Sequence, residues 1–337
     1  MNTEILKKTA QQMVAKGKGI LAADESTPTC TKRFESIGIN STSLSRNEYR
    51  DMLFTTDGLE KYISGIIMYD ETIKQNTISS NTPFPEYLNN KNILTGIKVD
   101  TGAKKLAGSH NEKITEGLDN LRDRIINYKE LGASFAKWRA VINIDTENML
   151  PSNACLFANA HALARYASIC QESDIVPIVE PEIIMDGNHD IEKCLMVTKS
   201  TLNIVFEQLK LMNVYLEGIV LKPNMIICGK NCIKSCSKEA EKVADYTLEC
   251  LLETVPKEVP GIAFLSGGQS SDLATKHLAL MNQKLKESEI WNITFSYGRA
   301  LQQDALSVWK NKDIKLAQNK LLHRAKMNSL ASQGLIN

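Results

Sequence analysis

One lysine, Lys222, closes a short apolar run and is followed at once by a proline. The run occupies residues 217–224 and reads EGIVLKPN. Such a run is typical of a buried parallel strand, which predicts that the amine lies partly desolvated at the carboxyl end of that strand. The pKa of a free lysine is roughly 10.4, and burial beside other cations lowers it until the neutral amine can form a Schiff base with a carbonyl carbon. The alternative is a lysine that simply extends to the surface.

Two pairs of charged residues have the spacing of neighbours on a strand. Lys137 and Arg139 are two positions apart, and so are Glu180 and Glu182. Because side chains two apart on a strand point to the same face, each pair can project into one site. Both pairs belong to apolar runs like that of Lys222. We therefore expect cations and carboxylates around its amine, with Glu182 among the catalytic residues and Arg139 among the substrate ligands.

These residue types suit a lyase that works through a covalent amine. Lys137 is expected to raise the local positive potential and so to lower the pKa of Lys222. Glu180 can move protons as a general acid and base while a carbinolamine forms and loses water. Asp24, at the end of another apolar run, can accept a hydroxyl proton as a carbon–carbon bond breaks. The alternative for each carboxylate is an ion pair that only neutralises a lysine, since structural ion pairs also perturb pKa values.

Two glycine-containing stretches are suited to hold a phosphate. Residues 265–270 read LSGGQS and residues 296–299 read SYGR. In α/β barrels, phosphates are often bound after the last two strands by backbone amides, hydroxyls and a guanidinium. The alternative is that these glycines only form turns that end the strands. The predicted ligands of this phosphate are Ser266, Gly267, Gly268, Ser296, Gly298 and Arg299. The predicted ligands of a second phosphate across the site are Ser26, Thr29, Arg33 and Lys98.

Eight apolar runs must position these residues, and most end on polar or charged side chains. The runs span residues 19–26, 64–71, 93–100, 133–142, 175–182, 217–224, 261–269 and 291–299. The segments between them are mostly long enough for a helix, as the apolar faces at 154–171 and 239–253 indicate. Alternating strands and helices imply a parallel sheet, and eight such units close a (β/α)8 barrel with its active site at the carboxyl face.

The predicted fold class is therefore α/β, a single-domain (β/α)8 TIM barrel over residues 1–337, because no linker or low-complexity segment divides the chain. A helix is predicted at 3–16, and a last helix at 313–332 is expected outside the barrel. An open doubly wound sheet is the alternative architecture, but the glycine-rich dinucleotide loop typical of it is missing.

Composition excludes several classes of protein. The formal net charge is +1, so no bulk field favours nucleic acid or an acidic membrane. No apolar window is long enough for a membrane span and no signal peptide is visible, so a cytoplasmic protein with reduced cysteines is expected. Cys228, Cys232 and Cys236 do not have a recognised metal-ligand spacing, and the histidines do not cluster. Neither a metal nor another cofactor is expected.

Together these stretches resemble the class I fructose-1,6-bisphosphate aldolases, from about residue 16 to residue 334. The motifs that carry the resemblance are GKGILAADES at 17–26, FAKWR at 135–139, VEPE at 179–182, LEG at 216–218, LKPN at 221–224, LSGGQS at 265–270 and FSYGRA at 295–300. The resemblance implies reversible, metal-independent cleavage of fructose 1,6-bisphosphate into dihydroxyacetone phosphate and glyceraldehyde 3-phosphate. It also implies a cytoplasmic homotetramer that binds small sugar phosphates.

The resemblance assigns roles to the residues above. It implies that Lys222 forms the Schiff base, that Glu180 accepts its proton, and that Lys137 and Asp24 assist the covalent steps. The residues implied to bind at the phosphate next to the ketone are Ser266, Gly267, Gly268, Ser296 and Arg299. The residues implied to lie towards the other phosphate are Ser26, Arg33 and Lys98.

Two departures from the family pattern bear on these roles. Animal members end in a mobile tail whose last residue is a tyrosine that assists proton exchange, whereas this sequence stops at Asn337 without that tail. Water or another group is expected in that role. Pro28 and Thr29 stand where the family often has Gly-Ser, so the far phosphate is expected to be held differently.

Two other functions are open from the sequence. One is a transaldolase-like lyase that uses a lysine on monophosphates, and two predicted phosphate sites argue against it. The other is an aldolase-shaped scaffold that binds partners without catalysis. The joint presence of Asp24, Lys137, Glu180 and Lys222 argues against the scaffold.

Overall fold

The computed structural model describes residues 1–232, 239–285 and 291–336. Its strands are β1 (Gly19–Ala22), β2 (Ile63–Met68), β3 (Leu94–Lys98), β4 (Gly102–Lys105), β5 (Lys113–Glu116), β6 (Phe135–Ile142), β7 (Val176–Ile183), β8 (Val220–Leu221), β9 (Gly261–Phe264) and β10 (Asn292–Tyr297). Eight of them close a parallel barrel in the order β1-β10-β9-β8-β7-β6-β3-β2. Each predicted apolar run overlaps one barrel strand, so the predicted α/β TIM barrel is confirmed.

The helices follow strands and cover the outside of the barrel, except for α1, which precedes β1. They are α1 (Thr3–Met13), α2 (Thr27–Glu35), α3 (Ser43–Phe54), α4 (Asp70–Ile73), α5 (Phe84–Asn90), α6 (Leu121–Glu130), α7 (Asn153–Glu172), α8 (Ile191–Leu211), α9 (Ala240–Thr254), α10 (Ser271–Lys284), α11 (Arg299–Trp309) and α12 (Ile314–Ala331). Side chains of Ser152, Asp190 and Ser270 cap α7, α8 and α10, accepting from otherwise unpaired backbone amides. Nowhere in the three described ranges does a helix combine the length and apolarity needed to cross a bilayer.

The barrel interior is filled by side chains and closed at one end by α1. Leu6, Ala10 and Met13 of α1 are fully buried in one cluster with Ile20 of β1 and Phe135 of β6. A second, larger apolar cluster lies between the strands and the surrounding helices. The end that α1 closes is packed, which leaves the opposite, carboxyl end of the strands as the open face.

The strand that carries Lys222 is shorter than its apolar run predicts. Only Val220 and Leu221 of the run form strand β8, because Leu216–Gly218 forms a 3-10 turn before it. The side-chain amide of Gln171 donates to the carbonyls of Tyr215 and Gly218, at 2.8 and 3.2 Å, and holds that turn. Pro223 follows Lys222 at once, as expected of a residue that cannot continue a strand ladder.

The sequence pattern does not predict the antiparallel hairpin of β4 and β5. It is inserted between β3 and β6, and its register pairs Gly102 with Glu116. The hydroxyl of Thr115 donates to the Arg139 carbonyl at 2.8 Å, which fastens the hairpin to β6. Charged residues occupy both of its strands, so it lacks the apolar run by which the barrel strands are recognised.

Gly96 makes room for an aromatic ring inside the barrel. A Cβ atom at position 96 would lie 2.1 Å from Cε2 of Phe135, which is fully buried. We expect Gly96→Ala to lower the free energy of unfolding by about 2–3 kcal/mol, measured by urea titration, because the ring must move within a close-packed core. Adding Phe135→Leu should recover part of the loss. A further loss in that double variant would show that the ring is not the obstacle.

Candidate active site

A cavity of about 400 Å³ opens at the carboxyl end of the barrel. Its lining includes every residue predicted for catalysis or substrate binding: Asp24, Ser26, Thr29, Arg33, Lys98, Lys137, Arg139, Glu180, Glu182, Lys222, Ser266, Gly267, Gly268, Ser296, Gly298 and Arg299. These residues come from seven different strands or the segments that follow them. The barrel therefore gathers the dispersed polar strand ends into one site, as the sequence pattern predicts.

Lys222 lines this cavity, although it is only 3% exposed. Its backbone amide donates to the Val179 carbonyl at 2.8 Å, which fixes the lysine beside β7. Its Nζ lies 3.3 Å from Oε1 of Glu180, whose side chain is equally buried. A desolvated amine thus faces a carboxylate that can take or return its proton.

Lys137 and Asp24 form a second pair that shares Glu180 with Lys222. Nζ of Lys137 lies 2.6 Å from Oδ2 of Asp24 and 3.6 Å from Oε2 of Glu180. Burial alone would raise the pKa of Asp24, but the charges of Lys137 and Lys222 outweigh it and hold that pKa well below its usual range. Burial also disfavours the charged form of Lys137 and would lower its pKa. The charges of Asp24 and Glu180 outweigh burial and hold that pKa above its usual value. Asp24 is therefore an anion and Lys137 a cation at neutral pH.

Two more ion pairs occupy the wall of the cavity. Arg139 pairs with Glu182, and Nζ of Lys98 lies 2.6 Å from Oδ1 of Asp100. Arg139 is the more exposed partner of its pair, so its guanidinium has donors left for a ligand. Sequence reasoning missed Asp100, although its position two residues after Lys98 is the same spacing that singled out the pairs on β6 and β7.

The two glycine-containing stretches lie side by side at the cavity. Gly267 and Gly268 have φ values of +56° and +81°, which few other residues adopt readily. A Cβ atom at Gly268 would lie 3.0 Å from Sδ of Met185 and 3.4 Å from Nη2 of Arg299, so this loop packs closely beside both side chains. Within the described ranges, the buried hydroxyl of Ser296 has no hydrogen-bond partner. Gly298 precedes the first turn of α11, where free amides and the helix dipole favour an anion.

The residues predicted for a second phosphate line the same cavity. Ser26 precedes α2 and its hydroxyl is 3.2 Å from that of Thr29. Nη1 of Arg33 is 2.6 Å from Oε1 of Glu25, a carboxylate that sequence reasoning did not single out. Arg33 and Lys98 thus both face the cavity while paired with acids, which lowers the net positive charge at this end.

Nothing in the described ranges suggests a metal centre. No cluster of three or more His, Cys, Asp or Glu residues there has the geometry to hold a metal ion. Of the three cysteines considered as ligands, Cys236 lies outside the described residues.

Comparison with known proteins identifies the family that the chain matches. Residues 5–337 match the model of a family described as fructose-bisphosphate aldolase class-I. The chain is 52% identical, over 99% of both chains, to a protein of Xanthomonas campestris pv. campestris named probable fructose-bisphosphate aldolase class 1. It is 48% identical to the muscle-type fructose-bisphosphate aldolase of Lethenteron camtschaticum, over 96% of this chain and 89% of that one.

A solved structure has a backbone that closely matches that of this chain. It is a fructose-bisphosphate aldolase from Plasmodium falciparum, crystallised with TRAP and a small-molecule inhibitor. Its TM-score against this chain is 0.96 at 46% identity, covering 99% of this chain and 95% of the other. The family model matches residues 5–337, and the relatives and the solved structure match nearly the full length of the chain. The chain therefore belongs to the class I fructose-bisphosphate aldolase family.

Proposed function

We propose that this chain cleaves fructose 1,6-bisphosphate reversibly into dihydroxyacetone phosphate and glyceraldehyde 3-phosphate through a Schiff base on Lys222. The observation that carries the proposal is the buried amine of Lys222, 3.3 Å from Glu180 in a cavity that is also lined by Arg33, Lys98 and Arg299. These cationic side chains offer partners for a sugar with a phosphate at each end.

The covalent steps follow from the groups around Lys222. The neutral amine adds to the C2 carbonyl of the substrate, and the carbinolamine loses its hydroxyl as water with a proton from Glu180. Loss of water leaves a protonated, positively charged imine. The C3–C4 bond then breaks, its electron pair moves towards the positively charged nitrogen, and a neutral enamine forms as glyceraldehyde 3-phosphate leaves. Protonation of the enamine and addition of water release dihydroxyacetone phosphate and restore the amine.

Asp24 accepts the proton of the C4 hydroxyl during cleavage. Because its pKa lies well below the usual range, Asp24 is a weak base and cannot retain that proton. Lys137 contacts both Asp24 and Glu180, at 2.6 and 3.6 Å, so Glu180 is the next acceptor within reach. We infer that the proton passes from Asp24 towards Glu180 while Lys137 stays charged.

The two ends of the cavity hold the two phosphates. The phosphate next to the ketone binds at the loop of Ser266, Gly267 and Gly268, with Ser296 and Arg299. The other phosphate binds near Ser26, Arg33 and Lys98, with Arg139 on the adjoining wall. A transaldolase-like lyase acting on monophosphates would leave one of these ends without a charged partner, and a measured preference for a monophosphate would favour it.

A homotetramer in the cytoplasm completes the proposal. The family resemblance implies the tetramer, and a relative from Arabidopsis thaliana, 50% identical over 94% of this chain, is named a cytosolic fructose-bisphosphate aldolase. Light scattering of the purified protein should give four times the mass of one 37.5 kDa chain.

Chelation should leave the reaction untouched, since the proposed electron sink is an imine rather than a metal ion. Cleavage is measured by a coupled assay for the triose phosphates, before and after dialysis against excess EDTA. We expect kcat to change by less than about twofold. Loss of activity that zinc restores would contradict the Schiff-base mechanism.

A further inference from the structure

Glu25 is a buried carboxylate held between two arginines at the edge of the cavity. Its Oε1 lies 2.6 Å from Nη1 of Arg33, and its Oε2 lies 2.8 Å from Nη1 of Arg50. Its side chain is only 7% exposed. Burial would raise the pKa of Glu25, but Arg50 and Arg33 outweigh burial and lower it, so the group is an anion at neutral pH.

The two arginines differ in what else they can reach. Arg50 is 2% exposed, and its Nη2 also donates to the Glu25 carbonyl at 3.3 Å and to the Cys30 sulfur at 3.4 Å. Arg33 keeps 21% of its side chain exposed and lines the cavity. Glu25 therefore joins an arginine fixed in the core to one that faces the site.

A buried amide fixes the direction of this carboxylate. Gln302 of α11 is fully buried, and its Nε2 donates to Oε1 of Glu25 at 3.0 Å and to the Ala22 carbonyl at 2.7 Å. The hydroxyl of Tyr49 donates to Oε1 of Gln302 at 3.0 Å, so both ends of the amide are satisfied. The same helix begins at Arg299, in the other predicted phosphate site.

We propose that Glu25 is a positioning residue that presents Arg33 to the phosphate farther from the ketone and so sets the preference for a 1,6-bisphosphate over a 1-phosphate sugar. The proposal rests on the function proposed above. A long guanidinium side chain loses conformational freedom when it binds a phosphate, and an arginine held in place beforehand loses less of it on binding.

A purely neutralising role for Glu25 predicts the opposite sign. A carboxylate near a phosphate repels it, so removing the charge would then strengthen binding of the bisphosphate. Positioning predicts weaker binding despite the gain of one positive charge. The direction of the change therefore separates the two roles.

The test compares fructose 1,6-bisphosphate with fructose 1-phosphate on the full chain. We expect Glu25→Gln to lower kcat/KM about tenfold for the bisphosphate, mainly through KM, and less than about twofold for the monophosphate. Equal losses on both substrates, or a lower KM for the bisphosphate, would overturn the proposal. Glu71→Gln is the matched control, because Glu71 pairs with Arg46 at 2.6 Å outside the cavity and should leave the ratio of the two kcat/KM values unchanged.

Two further variants keep the test decisive if Glu25→Gln does not fold. Gln302→Met removes the amide but leaves both arginines paired, and should lower bisphosphate kcat/KM about threefold with the monophosphate unaffected. Arg33→Gln should lose the bisphosphate preference, and Gln302→Met added to it should cause no further selective loss. An additional threefold selective loss in that double variant, or no effect of Gln302→Met alone, would refute positioning.

The same measurements separate this proposal from the function beneath it. A wild-type chain that does not cleave fructose 1,6-bisphosphate would refute the proposed function. A wild-type chain that does cleave it, while the variants lose both substrates equally, would refute only the role of Glu25.

Discussion

Lys222→Met should lower kcat for cleavage of fructose 1,6-bisphosphate by at least about 10⁴-fold, because the covalent intermediate cannot form without the amine. Methionine matches the length of the lysine stem and suits a site that is 3% exposed. Glu180 would keep Lys137 as a charged neighbour, 3.6 Å away. We therefore expect the variant to fold, and its thermal unfolding should remain cooperative.

The matched control for this prediction is Lys242→Met on α9. Lys242 is a surface amine that lies 2.8 Å from Oε1 of Glu192, and neither residue lines the cavity. Exposed ion pairs contribute little to stability, so kcat should change by less than about twofold. If Lys222→Met retained more than a hundredth of the wild-type kcat, about one hundred times above the expected ceiling, the covalent role of Lys222 would be wrong.

Asp24→Asn should separate formation of the Schiff base from cleavage. Asparagine keeps the shape of aspartate but cannot accept the proton of the C4 hydroxyl, so we expect kcat for cleavage to fall about 10³-fold. Formation of the imine needs Lys222 and Glu180, which the change leaves in place. Substrate-dependent inactivation by borohydride should therefore persist in the variant.

The ionisation of Asp24 also sets what the pH profile should look like. Lys137 and Lys222 hold the pKa of Asp24 well below its usual range, so it stays ionised at neutral and mildly acidic pH. Loss of wild-type activity on mild acidification should therefore come from other groups, and Asp24→Asn should leave the shape of that acidic limb unchanged. An Asp24→Asn profile that lost the acidic limb would contradict the ion pair with Lys137.

Most of the barrel and its reactive groups could be predicted from local sequence pattern. Charged residues that close an apolar run mark the carboxyl half of a strand: Lys222 directly follows β8, and Glu180 lies in the second half of β7. Parallel strands bring their carboxyl ends together. Lys137 and Arg139 are two positions apart on a strand, and this spacing predicts correctly that both line the same cavity. These inferences need only the period of a strand and the closure of the barrel.

The features that escaped prediction depend on contacts between distant parts of the chain. Glu25 gains its partners from α2, α3 and α11, and the residue that orients it, Gln302, lies 277 positions away. The hairpin of β4 and β5 has no apolar run and is fastened by Thr115 to β6. No local pattern predicts that Arg33 would be paired with an acid while facing the cavity.

The central claim is that the amine of Lys222 becomes bonded to the substrate, and reductive trapping tests it most directly. The purified chain is mixed with dihydroxyacetone phosphate or fructose 1,6-bisphosphate, reduced with borohydride, digested and sequenced by mass spectrometry. We predict one substrate-dependent adduct, on Lys222, that appears in step with loss of activity. An adduct on Lys137 or Lys98 instead, or full inactivation with Lys222 unmodified, would contradict the mechanism.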